Sequence, residues 1–404
     1  MLTTAPLSSY DDDEKTKKQK GFKKHIETLR TLYSEMSYGR NITLGKRPDD
    51  LLDVLTDIAI ASPAVCVNRT YGRYEIGRRS FESFLPSQIA RLFINRMNTV
   101  EANATVEVAC GKKSDDAHWQ NVLTYCKHGN LQAMFDEYAH LLANGLDKND
   151  NIVENLHKTI ADSMDFRTTI YEIDTFDAFK KRMNGDAKDS RVGLRSHFAV
   201  AFTKGDHKES DTERKKKVRN SFNSPFRPFV LASTSIGQEG LDFHNYCRRI
   251  VHWNLPSNPI DLEQREGRIN RFECLAIRQN IAQRYGNIQF KDDIWENMFE
   301  EARRVEKTEG CSDLIPYWGL KESDDMVRIE RIVPMYPFSR DINAYERLIK
   351  ILSLYRLTLG QARQEELLEY IFTNCEDTDD MKKLFINLSP FYKDAANANE
   401  KVDR

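Results

Sequence analysis

Gln264, Arg265, Arg268 and Arg271 stand close together in a stretch whose spacing separates charge that a helix can neutralise locally from charge that it cannot. Arg265 has Asp261 four positions before it, where side chains on one helix meet. Arg268 and Arg271 have no acidic residue three or four positions away in either direction, so their partner must come from elsewhere. Gln264, Arg268 and Arg271 fall at i, i+4 and i+7 and would share one helical face. Gly267 among them would cost about 1 kcal/mol relative to Ala inside a helix unless something must pass close by. A polyanion suits such a face. The alternative, from these residues alone, is a solvated basic helix.

The helix that would carry these side chains has a well-specified start. Asn258 can cap it, Pro259 sits where a missing N–H costs nothing, and Asp261 places a carboxylate against the positive end of the dipole. Ahead of it, residues 229–232 read as a short buried strand running into a turn of small residues and glycines, the kind of backbone that can approach a ligand closely. The period changes from helical to alternating at Arg167. Strands are expected at 168–173, 196–202, 229–232 and 249–253, with helices at 175–183 and 209–222 between them. That alternation predicts an α/β fold with a parallel sheet and helices on both faces, in which ligands bind beyond the carboxyl ends of the strands.

The turn and the arginine helix resemble motifs V and VI of the superfamily 2 helicases and translocases, including the Swi/Snf-type enzymes. The pattern Q-R-x-G-R-x-x-R stands here as Gln264, Arg265, Gly267, Arg268 and Arg271, and T-S-x-x-x-E-G-[LI]-D as Thr234, Ser235, Glu239, Gly240, Leu241 and Asp242. The link Asn254-Leu-Pro-Ser-Asn-Pro259 is similar to that of bacterial Swi/Snf-like helicases. The resemblance implies a RecA-like lobe of the helicase C-terminal type over about 165–290. It would make Arg268 and Arg271 the catalytic arginine fingers at the ATP γ-phosphate. Gln264, Arg265, Gly240 and Asp242 would then belong to the nucleotide cleft, with Asp242 at the ribose, and Thr234 and Ser235 would touch a nucleic-acid backbone. It favours double-stranded DNA as the partner.

What such a motor also needs is missing from this sequence. Phosphoryl transfer calls for a phosphate loop ending in Lys and Ser or Thr, and an acid that holds Mg²⁺. The run from Gly39 to Arg47 has five residues between its glycines rather than four, and Arg47 where the metal-binding hydroxyl belongs, so it reads as a loop. Asp136-Glu-Tyr-Ala-His140 spells something like a D-E-x-H box but lies within an amphipathic helical pattern rather than at the end of a strand, which leaves His140 a helix-surface or core histidine. No metal site is expected. ATP with Mg would be used only together with a complementary N-terminal RecA-like lobe, supplied by another polypeptide or lost from a split reading frame. The sequence thus reads as a helicase or ATPase by resemblance alone. The other class it allows is a non-catalytic nucleic-acid or protein-interaction module that keeps a helicase-like fold.

The rest of the chain bounds these readings. Its 404 residues suggest two or three domains. Sixty basic against 62 acidic residues leave a net charge of −2, so nucleic-acid binding would have to come from a local basic surface. One such run, Arg214-Lys-Lys-Lys217 with Arg219, lies on the helix expected at 209–222 and is otherwise a solvated face. Seven cysteines without a C-x-x-C pair read as reduced thiols, which favours the cytoplasm, and no apolar run approaches the length of a membrane span. Residues 1–20 read as a charged arm, 21–164 as a mainly helical region, 291–392 as a helical accessory domain and 393–404 as a tail. Within these, helices are expected near 22–36, 51–60, 86–97, 118–127, 130–144, 151–164, 293–305, 343–359 and 361–372.

Overall fold

The computed structural model of the chain describes residues 17–42, 45–74, 84–110, 117–146, 151–164, 169–173, 176–183, 192–196, 209–226, 229–232, 242–290, 292–307, 312–354, 366, 370–371 and 373–374. Among the described residues no single helix is long and apolar enough to cross a membrane. The chain divides into two compact units, Met1–Gln132 and Ala133–Arg404, the division falling at the start of a helix within the stretch read as one helical region.

The first unit is helical: α1 Lys17–Ser37, α2 Leu51–Ala61, α3 Pro63–Gly72, α4 Leu85–Met97, α5 Val100–Cys110 and α6 His118–His128. The Ala-Ser-Pro break after α2 ends one helix and starts the next. Ser62 is extended, as a residue before proline prefers, and its N–H still donates to the Ile58 carbonyl at 3.1 Å, while Pro63 opens α3. Cys66, Val67 and Tyr71 of α3, Ile89 and Phe93 of α4 and Cys126 of α6 are buried, and Lys127 pairs with Asp57 at 2.6 Å to tie α6 to α2.

The second unit holds α7 Leu131–Ala143, α8 Ile152–Met164, β1 Thr169–Ile173, α9 Phe176–Met183, β2 Val192–Ser196, α10 Glu209–Phe222, β3 Arg249–Val251, α11 Pro259–Glu266, α12 Leu275–Tyr285, α13 Ile294–Glu306, β4 Glu330–Ile332 and α14 Asp341–Leu354. One of its cores lies between α12 and α13, where Ile277 and Ile281 meet Trp295, Met298, Phe299 and Ala302. α8 and α10 pack through the buried Leu156, Ile160 and Met164 against Val218 and Phe222.

The expected parallel sheet is realised only in small part. β3 and β4 are parallel, with Arg249 opposite Glu330 and Val251 opposite Ile332, but β1 and β2 are antiparallel, pairing Thr169 with Ser196 and Ile173 with Val192. The connection between them, residues 174–191, is long enough for either sense, so the alternating pattern does not fix strand direction. The strand expected at 196–202 ends where it was to begin, at Ser196, and the remaining positions fall outside the described residues. Residues 229–232 do not form a buried strand: a bend at Phe229 leads into residues without regular structure, with Phe229 74% and Val230 83% exposed. A strand rich in apolar residues is buried only when neighbours cover both its faces, and among the described residues none does. β4 arises in a segment that the sequence pattern leaves irregular; its partner β3 supplies the ladder it needs.

Candidate functional site

The arginine stretch is built by the ends of one helix and the loop facing them. α11 begins as its residues dictate: Asn258 is extended, its side chain accepts from the Ile260 N–H at 2.9 Å, and Pro259 is the first helical residue. It ends earlier than the sequence periodicity suggests. Gly267 is the C-cap, and the chain goes on in turns in which Arg268 N–H reaches the Arg265 carbonyl at 3.2 Å and Ile269 N–H the Glu266 carbonyl at 3.0 Å. A Cβ at position 267 would lie 3.2 Å from the Glu263 carbonyl oxygen, so the glycine fits the tightening rather than the passage of a ligand. Gln264, Arg268 and Arg271 therefore do not share one continuous helical face; Gln264 is on α11, Arg268 in the turn and Arg271 beyond it.

The turn is laced to residues 242–246. Phe243 N–H donates to the Arg268 carbonyl at 2.9 Å, Leu275 N–H to the His244 carbonyl at 3.0 Å, and Asn223 Nδ2 holds the Asp242 carbonyl at 2.6 Å. Arg271 and Asp242 form an ion pair of 3.2 Å with side chains 41% and 38% exposed. Two expected cleft residues are thus brought together, with Asp242 meeting an arginine of its own chain. Arg265 does not pair with Asp261; its guanidinium donates to the Asn254 carbonyl at 2.9 Å. Among the described residues no carboxylate lies within ion-pair distance of Arg268. Thr234, Ser235, Glu239, Gly240 and Leu241 lie outside the described residues.

Polar atoms without partners gather here. The Nε atoms of Arg265, Arg268 and Arg271, together with Asn223 Oδ1, His244 Nδ1 and Tyr246 OH, are buried with no hydrogen-bond partner among the described residues. Since native structures satisfy nearly all such groups, this cluster of exceptions marks groups whose partners lie beyond the described residues, in the rest of the chain, in water or in a ligand. Burial lowers the pKa of His244, and Arg278, Arg271 and Arg219 lower it further against the opposing Asp242, so the imidazole is neutral in a region of positive potential. Among the described residues no group of three or more His, Cys, Asp and Glu side chains is placed to hold a metal ion.

Several residues that the sequence reading passes over hold this site. Glu266, the variable position of the Q-R-x-G-R pattern, accepts from His252 Nε2 at 3.2 Å and from Arg331 at 2.7 Å, joining α11 to β3 and β4. Burial alone would raise its pKa, but these two partners outweigh it and lower the carboxyl to about 2. Arg278 is fully buried. It donates to Glu137 at 2.8 Å, to the Glu273 carbonyl at 2.6 Å and to the Asn245 carbonyl, and lies over the Tyr246 ring at 5.5 Å. Its one sequence signal is a charge inside the apolar pattern Ala276, Ile277, Ile281. Asp136 and His140 sit buried on α7, within a helix as the pattern predicts, and His140 is a core residue rather than a surface one.

Residues 173–273 match the family model described as helicase conserved C-terminal domain. No curated protein and no solved structure matches the chain. The matched segment ends just past the arginine turn and contains both motif-like stretches; it supports a helicase C-terminal domain over this part of the chain, a domain type that implies a RecA-like fold.

Proposed function

We propose that the segment 165–290 works as the second lobe of a superfamily 2, Swi/Snf-like, ATP-dependent translocase on nucleic acid. The observation that carries this reading is the arginine turn, where Arg265, Arg268 and Arg271 each keep a buried Nε without a partner and Arg268 faces no carboxylate among the described residues. Such a site suits a phosphate anion, which guanidinium groups hold through several directed donors. Bound ATP with Mg²⁺ would supply the transferable phosphoryl group, Arg268 and Arg271 would stabilise the charge developing on it, and Gln264, Arg265, Gly240 and Asp242 would line the nucleotide. Thr234 and Ser235 would touch the backbone of the nucleic acid, double-stranded DNA by the resemblance, in the cytoplasm. The phosphate cradle and the metal-binding acid would come from a first RecA-like lobe on another polypeptide or on another part of a longer protein.

Steady-state ATP hydrolysis tests the reading. The 404-residue chain alone should show no appreciable turnover. Addition of a first lobe carrying a phosphate loop and an acidic metal ligand should produce turnover that double-stranded DNA stimulates. Hydrolysis by the purified chain alone, or none after the lobe is supplied, would count against it. The Arg271–Asp242 pair favours a second reading, because it ties up two groups that a catalytic cleft would use separately. On that reading the domain is a non-catalytic platform for nucleic acid or protein, and the same assay stays silent while binding persists.

A further inference from the structure

We propose that Glu273, gripped by His140 of α7 and by Asn144 just past its end, is a positioning residue that holds the Arg271 guanidinium against Asp242. The observation behind it is a strained residue that its surroundings fully determine. Glu273 has φ of 50°, in the left-handed region where a side chain is costly and which non-glycine residues keep only when neighbours enforce it. It is also a buried carboxylate, 6% exposed, in a place where an unpartnered charge would be expelled.

The backbone of Glu273 and one of its carboxylate oxygens have named partners. Its N–H donates to the Tyr317 carbonyl at 3.0 Å and its carbonyl accepts from Arg278 at 2.6 Å. Its Oε2 accepts from Asn144 Nδ2 at 3.0 Å and lies 3.7 Å from His140 Nε2. His140 is fixed in turn by Asp293 through Nδ1 at 2.8 Å, and Asp293 caps α13 by accepting from the Trp295 N–H at 2.8 Å. The residue between Glu273 and Arg271 is held as well: the Phe272 ring stacks on Tyr317 at 5.1 Å, and Tyr317 on Phe299 at 5.3 Å. Among the described residues, the Arg271 side chain has only a half-exposed pair with Asp242 to hold it. A long, flexible side chain with one weak contact keeps its place only if its backbone is fixed, and the fixed points lie immediately after it. α7 lies outside the matched segment 173–273, so this grip is an addition to that domain by the flanking chain.

The consequence for catalysis rests on the function proposed above, but the positioning can be read without turnover. The reactivity of Arg271 toward an arginine-specific dicarbonyl reagent, followed by mass spectrometry on the full chain, reports how firmly the guanidinium is held. Asn144→Ala should raise the Arg271 rate roughly tenfold, the scale of one lost hydrogen bond to a charged group. Glu273→Gly should do the same and also relieves the backbone strain, so it keeps the test open if Asn144→Ala folds poorly. Asp242→Asn gives the rate for a released Arg271. The exposed Arg304 should react alike in all four proteins and the buried Arg278 should stay inert. An Arg271 rate unchanged in both α7-side and Glu273 variants overturns the proposal. Failure of the lobe-supplemented wild type to hydrolyse ATP would overturn the proposed function and leave this result standing.

Discussion

Replacing Arg271 or Arg268 with alanine should separate stability from turnover. The stability effect follows from what each side chain touches. Arg271 loses a 3.2 Å ion pair in which both partners are about two-fifths exposed, and pairs of that kind contribute about 0.2 to 1 kcal/mol. Arg268 loses no ion pair seen among the described residues; the bond that ties its position to the facing loop, Phe243 N–H to its carbonyl at 2.9 Å, belongs to the backbone and survives the change. Urea unfolding followed by tryptophan fluorescence, in which the buried Trp295 reports on the α12/α13 core, should therefore place both variants within about 1 kcal/mol of wild type. In the lobe-supplemented enzyme an arginine at the γ-phosphate contributes about 10³ to 10⁵ in rate, roughly 4 to 7 kcal/mol of transition-state stabilisation. The two magnitudes differ enough for one experiment to tell them apart. A kcat near wild type in both variants would refute the catalytic assignment. Loss of more than about 2 kcal/mol of stability on Arg271→Ala would show that the exposed pair has been misjudged.

Arg278→Met should behave in the opposite way. It leaves the mostly buried Glu137 without its partner and two carbonyls unpaired around a side chain that is itself fully buried, so unfolding should become easier by about 3 kcal/mol, and a urea midpoint shift worth less than about 1 kcal/mol would contradict it. Thermal melting should also depend on pH through His140: burial alone would lower its pKa, but Asp293 and Glu273 outweigh burial and raise it to about 9, above the unfolded value of 6.5. That difference contributes stability on the order of a few kcal/mol that is complete below pH 6.5 and is lost as pH rises through about 9. His157 and His244, whose pKa values are lowered, titrate below that window, so His140→Gln should flatten the slope; an equal slope in both proteins would sink the assignment.

The helices were legible where their ends carry local chemistry. Asn258 and Pro259 set the start of α11, and the apolar spacing of 151–164 gave α8 its residues. What failed was direction and extent. Strand polarity between β1 and β2 depends on how residues 174–191 return, and β-branched residues favour a pleated surface without saying which neighbour they pair with. Residues 229–232 have the composition of a central strand, yet burial comes from neighbours and not from composition. The end of α11 shows a narrower failure. A single glycine inside a run of helix formers is read as tolerated, whereas here the helix ends at Gly267, and Arg268 and Arg271 lie off the face of Gln264.

The site was legible in its arginines and not in its supports, and the reason is sequence distance. The lack of acids near Arg268 and Arg271 is a local fact, visible at three and four positions. Asp242, the partner of Arg271, is named by the same motifs, but nothing in them says that the two side chains meet. His140 and Asp293 stand 153 positions apart, and Glu137 and Arg278 stand 141 apart, so no spacing rule could join them. Their effect is nonetheless felt at the arginine turn, because the Glu273 carboxylate faces His140 and the Glu273 carbonyl accepts from Arg278. Glu273, in a strained conformation two positions beyond Arg271, is where α7 and the residue just past it meet the matched domain. On the function proposed above, α7 and Asn144 would tune an arginine with which, among the described residues, they share no hydrogen bond or ion pair.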